Sequence, residues 1–186
     1  MDHLTKIAYN LIQKKADSNE LIQALSGVMG FPYTLLVDGG VYFSHYVPML
    51  NAIRSLYGRT PLCEGAITPI LKGCKSEIFA DILLDKLIGQ IPVVGIAANI
   101  ICAKTLTWRL GTLFAMLAAK GDSISVPDVT EAIRNIREHF PQRNMLKFQV
   151  PSEAVFMRLV TNKEYATDMF DVDAFFDSIA YHTNIT

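Results

Sequence analysis

IPVVGIAANIICAKTLTWRLGTLFAMLAA, residues Ile91 to Ala119, decides the reading of this chain. The stretch is long and apolar, contains no acidic residue, and carries Lys104 and Arg109 in its middle. Pro92 and Gly95 stand at its start. Ala98, Cys102, Ala103, Gly111, Ala115 and Ala119 are small residues that let a neighbouring helix approach closely. A helix that is apolar all round is either buried in protein or spans a bilayer, and the two cations discriminate between these fates.

The window from Val94 to Ala115 has the length for a span, since about 20 residues at roughly 1.5 Å each cross the hydrocarbon core. Near the bilayer centre Lys104 and Arg109 would each cost about 2.5–3.5 kcal/mol, and each Leu, Ile, Val or Phe returns only about 0.3–0.6 kcal/mol. The eight such residues in the window do not offset two cations. The reading is therefore a helix sheltered by protein, with membrane insertion or peripheral attachment as the alternative. Inside protein an unpaired charge is strongly destabilising, so both cations need a partner or a route to water. Asp38 is the candidate partner, because it lies in the other strongly apolar segment. The competing arrangement takes both long side chains over the edge of the bundle to solvent.

Working outward, the remaining chain reads as helices. Leu4, Ile7, Ala8, Leu11 and Ile12 recur at helical spacing, and Asp17 with Glu20 predicts the cap of a second short helix running to Met29. Leu50, Ile53 and Tyr57 oppose Asn51, Arg54 and Ser55, and Gly58 stands where a helix C-cap belongs. Thr60-Pro61 predicts the start of a helix ending at Gly73. Ser76 to Ile88 is a further amphipathic segment. Val129, Ile133 and Ile136 follow a start at Ser125 to Asp128, with Pro141 closing that helix. After an irregular connection from Pro141 to Pro151 come Val155, Phe156, Leu159 and Val160. From Glu164 to Asp177 there are five acidic residues and no basic one. Asp171, Val172, Phe175, Phe176 and Ile179 there form an acidic amphipathic helix and a candidate interaction surface. No period-2 strand is visible, so the expected fold is all-α: a multi-helix bundle in one domain, residues 1–186, around a long buried helix rich in small residues.

Composition narrows the function classes. The 186 residues are 51 % hydrophobic and 19 % charged, with a formal net charge of −1. There is no Lys/Arg stripe with interleaved aromatics, which argues against nucleic acid as a partner. Cys63, Cys74 and Cys102 are odd in number and fit neither a disulfide framework nor paired metal ligands, so they read as reduced core thiols of a cytoplasmic protein. Met1 to Lys15 mixes acidic and basic residues and has no unbroken apolar run, unlike a secretory signal.

Chemical motifs fail on inspection. Gly73-Cys74-Lys75-Ser76 resembles the end of a phosphate-binding loop, but the two glycine positions that loop requires hold Cys74 and Pro69. Asp171, Asp173 and Asp177 lack the glycine and oxygen ligand of a calcium loop, since Phe175 and Phe176 occupy those positions. His3, His45, His139 and His182 are too scattered for a zinc site, and only His45 lies in an apolar segment. No G-x-S-x-G elbow is present. Met49, Met116, Met145, Met157 and Met169 read as core filling. The expectation is a protein without enzymatic activity, cofactor or metal.

One ordered set of motifs carries a family resemblance. An apolar helix with an early aspartate is followed by Met49-Leu50-Asn51-Ala52-Ile53-Arg54-Ser55-Leu56-Tyr57-Gly58. An amphipathic helical pair comes next, then Ile91-Pro92-Val93-Val94-Gly95 and a small-residue helix reaching Leu110-Gly111. Over roughly residues 20–122 this resembles the GTPase-associated helical domain family typified by YcjF-like proteins, with residues 123–186 as a helical extension. The resemblance implies an all-helical domain, often attached behind a small GTPase domain or found in proteins of the bacterial inner membrane, with no catalytic residues to carry over. Trp108, Arg109 and the acidic tail depart from the family pattern, and no GTPase domain is present. The expected function is a helical interaction or regulatory domain with a protein partner, a GTPase being one candidate. The alternatives are a membrane-inserted helical hairpin and a carrier of apolar small molecules or lipid.

Overall fold

The computed structural model describes residues 3–25, 46–73, 78, 92–121, 126–140 and 147–161. These form six helices and no strand: α1 (His3–Leu25), α2 (Val47–Leu56), α3 (Glu64–Gly73), α4 (Pro92–Lys120), α5 (Val126–His139) and α6 (Glu153–Thr161). Asp38, His45, Cys74 and the acidic helix of Asp171, Val172, Phe175, Phe176 and Ile179 lie outside the described residues, as does the Ser76 to Ile88 segment apart from Ile78.

The all-α expectation holds, and the decisive stretch is a continuous helix of 29 residues. α4 is the axis of the bundle: α1, α2, α5 and α6 all pack on it, α1 also meets α2 and α6, and α3 meets α5. Every residue from Thr105 to Ala115 is buried. Ala8, Ile12 and Ala16, spaced by four on α1, supply one flank of the core. Val129, Ile133 and Ile136 of α5, and Phe156 and Val160 of α6, supply others. Two buried threonines of α4 are satisfied by the helix itself: Thr105 Oγ1 donates to the Ile101 carbonyl and Thr107 Oγ1 to the Ala103 carbonyl, both at 2.7 Å.

Three expectations are corrected. Asp17 does not cap a new helix, because α1 runs unbroken through it. No glycine or proline interrupts that run, Ala16 is buried, and Ser18 Oγ bonds back to the Lys15 carbonyl at 2.9 Å. Thr60-Pro61 does not open α3, which begins at Glu64. Asn51 instead holds Leu62 in an irregular conformation, accepting from its N–H at 2.9 Å and donating to its carbonyl at 2.8 Å. The Cys63 carbonyl then receives the first turn of α3. Cys63 is exposed rather than a core thiol, since it sits in this connection. The turn after α2 is as expected: Gly58 has φ +69°, in the left-handed region where glycine carries no Cβ penalty, and its N–H bonds the Ser55 carbonyl at 3.0 Å.

α1 approaches α4 closely at Gly111. A Cβ there would lie 2.5 Å from Ile12 Cγ1 and 2.8 Å from Cδ1. Overpacking of this kind costs about 1–3 kcal/mol, partly offset by the roughly 1 kcal/mol that alanine gains over glycine in a helix. Gly111→Ala is expected to lower the stability measured by urea denaturation by about 1–2 kcal/mol. In an Ile12→Ala background the clash partner is gone, and the same change should stabilise relative to that background.

Candidate functional site

Thr105, Trp108 and Arg109 stand at i, i+3 and i+4, and therefore share one face of α4. That face is the floor of an open cleft with a volume of about 490 Å³. The end of α5 builds one side, through Glu138, His139 and Phe140, and the connecting segment Phe148 to Ser152 with Val155 of α6 builds the other.

Each side is held by identifiable bonds. On α5, His139 Nδ1 lies 2.9 Å from the Asn135 carbonyl. A carbonyl only accepts, so Nδ1 carries the proton and Nε2 is the nitrogen left for other partners. Phe140 N–H closes the last turn onto the Ile136 carbonyl at 2.8 Å. Across the cleft, Tyr9 of α1 donates its hydroxyl to the Pro151 carbonyl at 2.8 Å. Ser152 caps α6, its Oγ accepting from Val155 N–H at 3.3 Å.

An aromatic cluster lies beneath. The Tyr9 ring is tilted against Trp108 with centroids 4.9 Å apart, and meets Phe156 edge to face at 5.5 Å. Trp108 meets Phe156 the same way at 6.3 Å. Contacts of this geometry are worth about 0.5–1.5 kcal/mol each beyond area burial, and they fix α1, α4 and α6 around the floor.

The two cations of α4 resolve differently. Lys104 Nζ sits 3.5 Å from Asp17 Oδ1 on α1 and 5.9 Å from the centroid of the Phe148 ring. The lysine side chain is only 15 % exposed but its aspartate is 60 % exposed, so this pair has a surface character worth at most about 1 kcal/mol. Its structural effect is to bring α1, α4 and the connecting segment to one point. Arg109 is 2 % exposed and donates from Nη1 to the Ile78 carbonyl at 3.0 Å. Lys104 thus pairs with Asp17 on α1, whose position resembles a helix cap in the sequence, while Arg109 lines the cleft. Neither reaches freely over the bundle edge.

The sequence marks Trp108 as departing from the family pattern and His139 as a scattered histidine, and neither Phe140 nor Phe148 stands out in it. The available signal was the polar run Thr105, Trp108, Arg109 along one face of an otherwise apolar helix. His139 looked isolated because the residues that join it come from α4 and from beyond Pro141.

The polar atoms of the cleft are committed to structure in a telling way: Thr105 to its own helix, His139 Nδ1 to α5, Ser152 to the α6 cap. Glu138 and His139 are consecutive and do not face one another on a helix. Among the described residues no group of three His, Cys, Asp or Glu is placed to hold a metal ion. Apolar walls with a few fixed polar groups suit binding. No family model, curated protein or solved structure matches this chain.

Burial raises the pKa of the Tyr9 phenol above its ordinary value of 10.0, and the neighbouring Glu153 carboxylate adds to the effect. With the folded-state value raised, the unfolded chain releases this proton first as pH climbs. Stability is therefore fully present below pH 10 and falls as pH rises through and beyond that value. Tyr9→Phe should lose about 1 kcal/mol at neutral pH with the Pro151 hydrogen bond. Above pH 10 its denaturation midpoint should fall less steeply than that of the parent.

Proposed function

We propose that this chain is a non-enzymatic helical interaction domain that regulates a partner protein, with the cleft beside α4 as its recognition site. The observation that carries this reading is the cleft itself: about 490 Å³, open to solvent, and rimmed by Val150, which is 49 % exposed. A concave surface of this size with apolar walls is the usual form of a binding site. The commitment of Thr105, His139 and Ser152 to structural hydrogen bonds supports a site that holds rather than transforms. The family resemblance points to a separately encoded GTPase as the class of partner.

The carrier reading draws support from the same volume, which lies inside the range of roughly 300–1,000 Å³ typical of small-molecule sites. The two readings combine if a small molecule in the cleft controls contact with the partner. The membrane-hairpin alternative is not favoured: no helix among the described residues is long and apolar enough to cross a bilayer.

Val150→Asp places a charge at the rim without touching the core. In pull-downs with the full chain, a partner is expected to survive stringent washing, and Val150→Asp should reduce its recovery by about tenfold, equivalent to roughly 1.4 kcal/mol, with an unchanged thermal transition. Recovery unaffected by Val150→Asp removes the cleft as the recognition site. A chain that retains no partner and remains inert overturns the regulatory reading.

A further inference from the structure

We propose that the cleft binds an uncharged aromatic molecule bearing a ring hydroxyl or ring N–H, with the ring between Phe140 and Phe148 and its donor hydrogen-bonded to His139 Nε2. This inference rests on the cleft being a recognition site and adds the chemical class of what it recognises.

Size and walls select a ring. A site of about 490 Å³ accommodates one or two fused rings and is open enough for them to enter from solvent. Phe140 and Phe148, both half-buried, line it from opposite sides, and Trp108 contributes to the floor. Aromatic pairs favour offset-stacked or edge-to-face contact, with centroids about 4.5–7 Å apart. A planar ring can satisfy more than one such contact at a time, whereas a saturated ring gains only from burial.

The polar groups of the lining select a donor. Thr105 Oγ1 is bonded to the Ile101 carbonyl, the Pro151 carbonyl receives the Tyr9 hydroxyl, and Ser152 Oγ caps α6. Arg109 is buried on the Ile78 carbonyl, and Lys104 is paired with Asp17, so neither offers its charge to a ligand. Two acceptors at the end of α5 are left without a partner among the described residues: the Glu138 carboxylate and His139 Nε2. With the proton on Nδ1, facing the Asn135 carbonyl at 2.9 Å, Nε2 of the neutral ring accepts. His139 is half-buried and Glu138 exposed, so water competes less for the imidazole nitrogen. Gln149 is exposed, and its amide both donates and accepts, which selects nothing. An anion would meet Glu138 and find no available cation. A cation would gain little, because an ion pair with an exposed carboxylate is worth about 0–1 kcal/mol.

The test titrates the full-length protein by calorimetry with indole and with benzofuran, which has the same shape and a ring oxygen in place of the N–H. Indole is expected to bind at one site, and benzofuran at least about fivefold more weakly, the size of effect one hydrogen bond supplies. Phenol should bind more tightly than cyclohexanol, and indole more tightly than indole-3-acetate or tryptamine. On protein labelled with nitrogen-15, saturation with indole should shift the His139 Nε2 resonance, assigned by its loss in His139→Leu. Indole and benzofuran should bind His139→Leu equally, a ratio that a merely loosened fold would leave unchanged. Phe148→Ala, in a connecting segment rather than a helix, should weaken indole by about fivefold or more. Equal affinity of the parent for indole and benzofuran, or an unmoved Nε2 resonance, overturns the donor assignment. Cyclohexanol binding as tightly as phenol overturns the aromatic class, and tighter binding of indole-3-acetate or tryptamine than of indole overturns the uncharged one. Absence of binding at about 1 mM ligand, or binding unchanged by Phe148→Ala, overturns the proposal as a whole. Because partner recovery with Val150→Asp is measured separately, the ligand inference can fail while the interaction reading stands.

Discussion

The fold depends on one constraint: the middle of α4 is buried on every side. Eleven consecutive buried residues, Thr105 to Ala115, cannot be covered by one neighbour, since a single packed helix shields only a stripe. Four helices are needed around it, and α1, α2, α5 and α6 fill those places. Each fully buried Leu, Ile or Phe contributes about 1.5–3 kcal/mol, so Leu106, Leu110, Leu113 and Phe114 reward complete enclosure. The same enclosure makes an unsatisfied polar group costly. Thr105 and Thr107 bond back one turn and Arg109 reaches the Ile78 carbonyl, while the Thr112 hydroxyl is buried without a hydrogen-bond partner among the described residues.

The turn after α2 belongs to the same requirement. Arg54 is 2 % exposed, and its Nε donates to the Thr60 carbonyl at 2.9 Å, while Arg59 N–H bonds the Arg54 carbonyl at 3.0 Å. Arg59 then extends across to the end of α4, where its Nε donates to the Ala118 carbonyl at 2.9 Å. Carbonyls in the last turn of a helix have no partner within it, and a cation there also complements the helix dipole. One arginine thus fixes the α2 turn against the C-terminal end of the central helix. Gly58 makes this possible by reversing the chain within a single turn.

Much of this was legible in the residues. Patterns that depend on one element alone read correctly: the extent of α4, the Gly58 turn, the buried line of Val129, Ile133 and Ile136, and the apolar positions of α6. Errors arose where a residue's role was set by a partner distant in sequence. Asp17 has the look of a cap until Lys104, 87 positions on, is seen to face it. Thr60-Pro61 has the look of a helix start until Asn51 is seen to hold Leu62 on both its N–H and its carbonyl. The cleft was invisible for the same reason, since its floor and sides come from α4, α5 and the segment before α6. Arg109 was correctly marked as needing an explanation, because a cation in an apolar helix contradicts its surroundings and such contradictions gather at functional sites.

That contradiction also explains why the cleft lies where it does. α4 could be enclosed more economically by apolar residues at positions 105, 108 and 109, with α5 and α6 closing directly over them. α5 and α6 do meet, and Trp108 is covered on one side by Tyr9 and Phe156. Arg109 cannot be packed under a dry apolar lid without strong cost. The end of α5 and the segment from Phe148 to Ser152 flank the cleft; Tyr9 ties that segment to α1 through the Pro151 carbonyl, while the His139–Asn135 bond lies within α5. The arrangement is economical if the opening is the part of the molecule that meets something else.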